Sequence, residues 1–152
     1  MCRVLLPYVF GSGSPIPYLF EGITPEFSDE YRFRALATRD TTLPDSVSAT
    51  RIDPGRAYRN PLHYIRLGLE SADLIHTGGF ERHRHVVRLN SLRNRDLSRV
   101  HSFRVDVDPD GQYDTEIFRA LATEADKTTA VSEHTAKTVR EHFGIDPIVI
   151  YN

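Results

Sequence analysis

The sequence contains a single cysteine, Cys2, in 152 residues. An intrachain disulfide is therefore excluded, and a reducing compartment, the cytoplasm, suits this composition best. Long apolar runs are missing too: none approaches the roughly 20 residues that a membrane-spanning helix needs. The opening MCRVLLPYVF has one Arg and a short apolar run broken by Pro7, and a Gly/Ser turn follows where a secretory leader would continue its apolar core. It reads as a buried first strand. Charge of one sign is not in excess either. Lys and Arg number 19 against 21 Asp and Glu, a formal net charge of −2, which leaves no global electrostatic footprint for nucleic acid or anionic lipid. The chain also lacks a G-x-G-x-x-G fingerprint, a Walker loop, a nucleophile elbow and a cysteine pair, so a nicotinamide-dependent enzyme is without its main signature.

What is present suits one globular domain spanning 1–152, with 39% hydrophobic and 26% charged residues. Apolar Arg3–Phe10, alternating Tyr31–Thr38 and short Val47–Ile52 read as strands. Asn60-Pro61 is a helix start, with Asn as cap and Pro at the first helical position, and Leu62, Ile65, Leu69 and Ala72 share one helical face. Asp73–Gly79 is a short strand running into a double glycine. A basic helical segment, Glu81–Arg93, follows, then a β-rich run at Val100–Val107 and an amphipathic helix around Ile117, Leu121 and Ala125. Strands alternating with helices predict an α/β fold, a Rossmann-like three-layer sandwich with a mostly parallel sheet and helices on both faces. Ligands in such sheets sit beyond the carboxyl ends of the strands. That directs attention to Gly11–Ser14, His76–Gly79, His101–Arg104 and Ser132–Thr135. The turn Gly11, Ser12, Gly13, Ser14, followed by a helix from Pro15, sets backbone N–H groups where an anion can be held, although a plain flexible turn explains it equally well.

Metal sites fare poorly. Asp106, Asp108, Asp110 and Gly111 begin like a calcium loop, but the twelfth position, where a bidentate Glu is required, is Ile117. An acidic loop capping the next helix is the better reading. His83 and His85 would face about 200° apart on a helix and cannot chelate one ion. Their segment, FERHRHVVRLNSLRNR, reads as a solvated basic helix face, with contact to a negatively charged membrane surface or partner as the minority reading. His101, alone on a strand, is by spacing more often a packed residue than a functional one.

The C-terminal stretch is the most informative. In AVSEHTAKTVREHFGIDPIVIYN, Ser132 caps a helix with Glu133 beside its positive end, Ala136, Val139 and Phe143 form the apolar face, and Gly144 ends the helix. Pro147 prevents its resumption. Ile148 to Tyr151 is then a continuous apolar run, as expected for a parallel strand covered on both faces. This β-α-β unit resembles the glycosyltransferase family 4 enzymes of the two-domain GT-B type. There a strand ending in V-S, an S-x-x-T helix and a Gly-Ile turn lead to an I-x-N-G-V-D hinge, and here the text stops at Ile150, Tyr151, Asn152.

The resemblance implies the N-terminal, acceptor-side half of a retaining, sugar-nucleotide-dependent glycosyltransferase, without a metal or other cofactor. It implies substrate-binding roles for Gly11, Ser12 and Gly13, for His76 with Gly78 and Gly79, and for Ser132 and Thr135. His101 becomes the catalytic candidate beside the transferred sugar, although Ser102 stands where the family often has Asp. The family's basic pair and E-x7-E segment belong to the C-terminal donor-binding domain, which this sequence lacks, so the chain is expected to be inactive alone. The expected partners are a nucleotide-sugar donor, bound through the missing domain or a partner chain, and an acceptor that the residues do not name, with a lipid-linked molecule, a polysaccharide and a small glycoside all left open. The location is expected to be cytoplasmic, with a peripheral membrane position left open. The competing reading is a non-catalytic Rossmann-like binding or interaction module.

Overall fold

The computed structural model describes residues 1–11, 26–27, 29–53, 60–79, 81–94, 96–108 and 115–151. Its strands are β1 Cys2–Phe10, β2 Tyr31–Thr38, β3 Val47–Ile52, β4 Leu74–Thr77, β5 Ser98–Phe103, β6 Lys127–Ala130 and β7 Ile148–Val149. Its helices are α1 Pro61–Gly68, α2 Glu81–Ser91, α3 Thr115–Thr123 and α4 Glu133–Phe143. All seven strands are parallel, in the order β3-β2-β1-β4-β5-β6-β7. The chain therefore builds outward from β1 to β3, returns, and builds the other way from β4. Strand order reverses between β1 and β4, which is where a doubly wound sheet opens a crevice at its carboxyl end.

Leu5 and Val9 of β1 and Ile75 of β4 pack against Tyr64 and Leu67 of α1, Val86 and Val87 of α2 and Leu121 of α3. Further along the same face, Phe103 and Ala130 pack against Phe118 of α3 and Ala136 and Val139 of α4. Among the described residues, all four helices thus cover one face. The other face carries Val4, Leu6, Tyr8 and Phe10 with Phe33, Ala35 and Ala37. The helix expected from Pro15, with Ser12 and Gly13, lies outside the described residues. So does the end of the calcium-like loop, Asp110 and Gly111.

Pro7 sits in a central strand because β1 is bulged there. Leu6 pairs with Ala35 and Val9 with Leu36, so two extra residues of β1 stand outside the ladder and the missing N–H of Pro7 costs no bond. At the opposite end Asp73 clamps β1 to β4. Its carboxylate accepts from the Arg3 backbone N–H at 2.8 Å and from the guanidinium at 3.0 and 3.2 Å, and these bonds hold its pKa below the usual carboxylate range.

Four expectations need correction. The α1 face of Leu62, Ile65 and Leu69 points to solvent, and Tyr64, Leu67 and Gly68 face inward. The reason is Gly68, which lets α2 approach so closely that a Cβ there would stand 3.0 Å from Leu89 Cβ and 3.2 Å from the Val86 backbone. The segment from Glu81 is not solvated all round, since His83, Val86, Val87 and Asn90 are buried. β5 ends at Phe103 instead of Val107. Beyond it the backbone leaves the sheet for α4: Val107 N–H donates to Thr138 Oγ1 at 3.1 Å, and Val105 and Val107 join the apolar cluster there. Finally, β7 is a two-residue edge strand. With one neighbour only, it leaves Ile148, Ile150 and Tyr151 exposed, so the run is not covered on both faces.

The terminal helix matches its reading. Ser132 Oγ accepts from Thr135 N–H at 3.0 Å, and Gly144 closes α4 in the left-handed region at φ 69°.

Candidate functional site

Because the strands are parallel, Gly11, Gly78–Gly79, Arg104 and Ser132 all emerge at one edge of the sheet, beyond β1, β4, β5 and β6. Gly11 has φ 79°, and a Cβ there would overlap the hydroxyls of Thr38 and Thr41, which are themselves 2.6 Å apart. Glycine is required on both counts. Gly78 lies against Tyr8, and a Cβ on Gly79 would overlap the Phe118 ring.

Three histidines surround the end of β4. His76 lines an open groove of about 380 Å³ on the face without described helices, with Val4, Leu6 and Val100 beside it and Arg104 at the carboxyl end. Its Nε2 lies 2.6 Å from Ser102 Oγ, which in turn lies 2.7 Å from Thr129 Oγ1, so a polar chain crosses β4, β5 and β6 inside a mostly apolar groove. Burial pushes the His76 pKa down to about 4, with the Arg104 guanidinium adding to the shift. The imidazole is neutral at pH 7 and serves as a hydrogen-bond donor or acceptor, not as a cation.

His83 comes from α2. Its Nδ1 lies 3.0 Å from both the N–H and the carbonyl oxygen of Gly78, and the Tyr8 ring meets it edge-on at 5.0 Å. Burial drives its pKa down to about 3, partly countered by backbone hydrogen bonds at Gly78 and at Pro7 in the bulge. Sequence reasoning placed His83 on a solvated face. The signal that identifies it is the stripe His83, Val86, Val87, Asn90, at i, i+3, i+4 and i+7.

His101 lies on the helix-covered face. It is fully buried, with Nδ1 2.9 Å from Thr77 Oγ1 and its ring edge-on to Phe103 at 4.8 Å. Burial, then the two neighbouring histidines, depress its pKa to about 3. His76 and His101, expected to line one cleft, therefore stand on opposite faces of the sheet, and only His76 borders open space. Thr77 links them, since it follows His76 and carries the hydroxyl that holds His101.

Ser132 and Thr135 are brought together at the N-terminus of α4. Besides the cap, Ser132 Oγ donates to Thr135 Oγ1 at 3.0 Å, and Thr135 Oγ1 donates to Asp106 Oδ1 at 2.8 Å. Asp106 thereby ties the loop after β5 to the positive end of α4. Among the described residues, no group of three or more His, Cys, Asp or Glu is placed to hold a metal ion.

The model of Glycosyltransferase Family 4 matches residues 19–152. The chain belongs to glycosyltransferase family 4. Its sheet is one Rossmann-like half of a GT-B fold. In structure it is similar to Alr3699/HepE of Anabaena, solved in complex with UDP and glucose, at a TM-score of 0.63 and 17% identity, over 100% of this chain and 44% of that one. It is also similar to an alpha-glucosyltransferase solved with UDP-glucose and DNA containing an abasic site, at a TM-score of 0.54 and 9% identity, over 99% of this chain and 42% of that one. At such identities the likeness is one of fold. The family 4 chain spans less than half the length of either structure. No curated protein matches it.

Proposed function

We propose that this family 4 chain forms the acceptor side of a retaining, sugar-nucleotide-dependent glycosyltransferase. The donor side comes from a second Rossmann-like unit, in the same polypeptide or on another chain. The observation that carries this reading is the carboxyl edge of the sheet. Gly11 and Gly78 lie at the ends of the two strands where strand order reverses, and the N-terminus of α4 and Arg104 bring positive potential to the same edge. Such an edge, facing a second unit, suits a departing nucleoside diphosphate. One similar structure was solved with UDP and glucose and the other with UDP-glucose, which supports a UDP-sugar as the donor class to try first.

Within this reading His76 is the histidine that meets substrate, as a neutral group oriented by Ser102. His101 acts as a positioning residue: through Thr77 it fixes the strand end that carries Gly78 and Gly79. Ser132 and Thr135 shape the α4 end and present its positive pole. The non-catalytic alternative draws support from one fact, the full burial of His101. The experiment is a transfer assay with a panel of UDP-sugars on the 152 residues alone and on the same residues joined to a family 4 donor domain. Transfer by the joined protein only is the expected result. No transfer by any joined form would favour the binding module, and transfer by the 152 residues alone would overturn the division of labour.

A further inference from the structure

β1 and β4 stand in register at Val4 with Leu74 and at Leu5 with Ile75, and the register ends there. On its other side β1 slips out of the β2 ladder as well, since Pro7 and Tyr8 form the bulge. The sheet therefore opens toward its carboxyl edge between the two strands where strand order reverses. Into this opening α2 sends His83, which is 2% exposed. Its Nδ1 lies 3.0 Å from both the N and the O of Gly78 at the end of β4. The ring also hydrogen-bonds the backbone of Pro7, which has a carbonyl but no N–H to offer. One imidazole thus takes the place of ladder bonds that β1 and β4 no longer exchange.

These partners fix the tautomer. The Pro7 carbonyl only accepts, so the ring must donate a proton to it; the Gly78 N–H only donates, so Nδ1, which faces it, must keep its lone pair. The proton then sits on Nε2, and the neutral ring satisfies one buried backbone donor and one buried acceptor. An Nδ1–H tautomer would reach Gly78 O but would set two N–H groups against each other. Tyr8 carries the constraint further. Its ring meets His83 edge-on at 5.0 Å and His76 at 6.0 Å, and a Cβ on Gly78 would stand 3.0 Å from its hydroxyl. A bulge beside a site commonly serves to aim a side chain, and here the aimed residue is Tyr8. We propose that His83 is a positioning residue of the transfer site, a staple in the Nε2–H form that joins the β1 bulge to the end of β4 and so sets the places of Gly78, Tyr8 and His76. The positioning role rests on the proposed transfer site; the staple stands without it.

Nitrogen-15 NMR of the 152-residue chain tests the staple. At pH 7 the His83 ring is expected as the Nε2–H tautomer, and the Gly78 amide proton is expected to exchange at least about a hundredfold more slowly than one in an open loop. The Nδ1–H tautomer, or a freely exchanging Gly78 amide, overturns the proposal. Positioning is read in the chain joined to a donor domain. Asparagine carries its amide near the place of Nδ1 and glutamine near that of Nε2, so His83→Asn keeps a partner for Gly78 and His83→Gln one for Pro7. His83→Phe keeps an aromatic ring and loses both bonds; it should lower kcat at least about tenfold, with KM for the donor changed less than about threefold. His83→Asn should regain most of that rate and His83→Gln little of it, at similar melting temperatures. An unchanged kcat in His83→Phe, or equal recovery by Asn and Gln, overturns the positioning role. If no joined form transfers sugar, the transfer site fails and the positioning role with it, while the NMR result still decides the staple.

Discussion

His76 Nε2 and Ser102 Oγ are 2.6 Å apart, on neighbouring strands and on the open face of the sheet. The pair does two things at once. It holds the imidazole in one orientation in a groove whose walls are otherwise mostly aliphatic and aromatic, and it continues through Thr129 to a third strand.

If this imidazole meets substrate, replacing it should affect rate more than fold. In the chain joined to a donor domain, His76→Ala is expected to lower kcat/KM at least about tenfold, or about 1.4 kcal/mol in transition-state stabilisation. Ser102→Ala should lower it less, since it removes only the group that orients the ring. Steady-state kinetics beside a thermal melt checks this. Unchanged kinetics in His76→Ala would return the residue to a packing role.

The three depressed histidines make stability depend on pH in a definite direction. Folded, His76 titrates near 4 and His83 and His101 near 3, whereas in the unfolded chain each takes up a proton near 6.5. Between these values the unfolded state binds more protons, so stability is greatest above about pH 6.5 and falls as the pH drops toward 4. Each buried imidazole contributes up to about 1.4 kcal/mol per pH unit in that window. Urea midpoints at pH 7.5 and 5.0 measure the sum. His101→Gln should flatten the slope by about one proton's worth, and equal midpoints at the two pH values would contradict the assignment.

The loop glycines should resist substitution for different reasons. Gly11→Ala forces a side chain into the left-handed region and onto Thr38 and Thr41, for an expected loss of about 1–3 kcal/mol from the backbone alone. At Gly79 the backbone is unstrained, and the obstacle is the Phe118 ring. The double change Gly79→Ala with Phe118→Leu should therefore recover stability relative to Gly79→Ala alone. No such rescue is expected at Gly11. Denaturant unfolding of Gly11→Ala, of Gly11→Ala with Thr41→Ala, of Gly79→Ala and of Gly79→Ala with Phe118→Leu, each beside the unaltered chain, tests both statements.

Asn90 is the buried polar link between the two outer helices. Its Nδ2 donates to Gly68 O at 3.3 Å and to Glu70 O at 2.5 Å, carbonyls at the end of α1 that have left the helical ladder. Asn90→Leu should cost about 1–3 kcal/mol despite its apolar gain, because it strands those carbonyls. Unchanged stability would mean that water replaces the amide.

Local chemistry was legible wherever it was self-contained. Asn60-Pro61 and Ser132 with Gly144 announce their helices because a cap needs only its own turn, and β2 and β3 follow from alternation and flanking turn residues. The α1 face was not legible. Leu62, Ile65 and Leu69 make a better apolar stripe by composition than Tyr64, Leu67 and Gly68, and what turns the helix is the close approach of α2 at Gly68, a contact between separate elements. β7 fails for a related reason: its residues read as buried, but burial depends on what lies beyond the sheet edge. At the site, the glycines and His76 could be placed from strand ends, whereas which face each histidine takes depends on the register between β4 and β5. A shift of one residue exchanges His101 for Val100.

The division between an acceptor half and a donor half is tested most directly by calorimetric titration of the 152-residue chain with UDP-glucose. If the donor-binding groups lie in another unit, this chain should bind it no more tightly than about 1 mM, and the chain joined to a donor domain should bind it at least about a hundredfold better. Micromolar binding by the isolated chain would contradict the account.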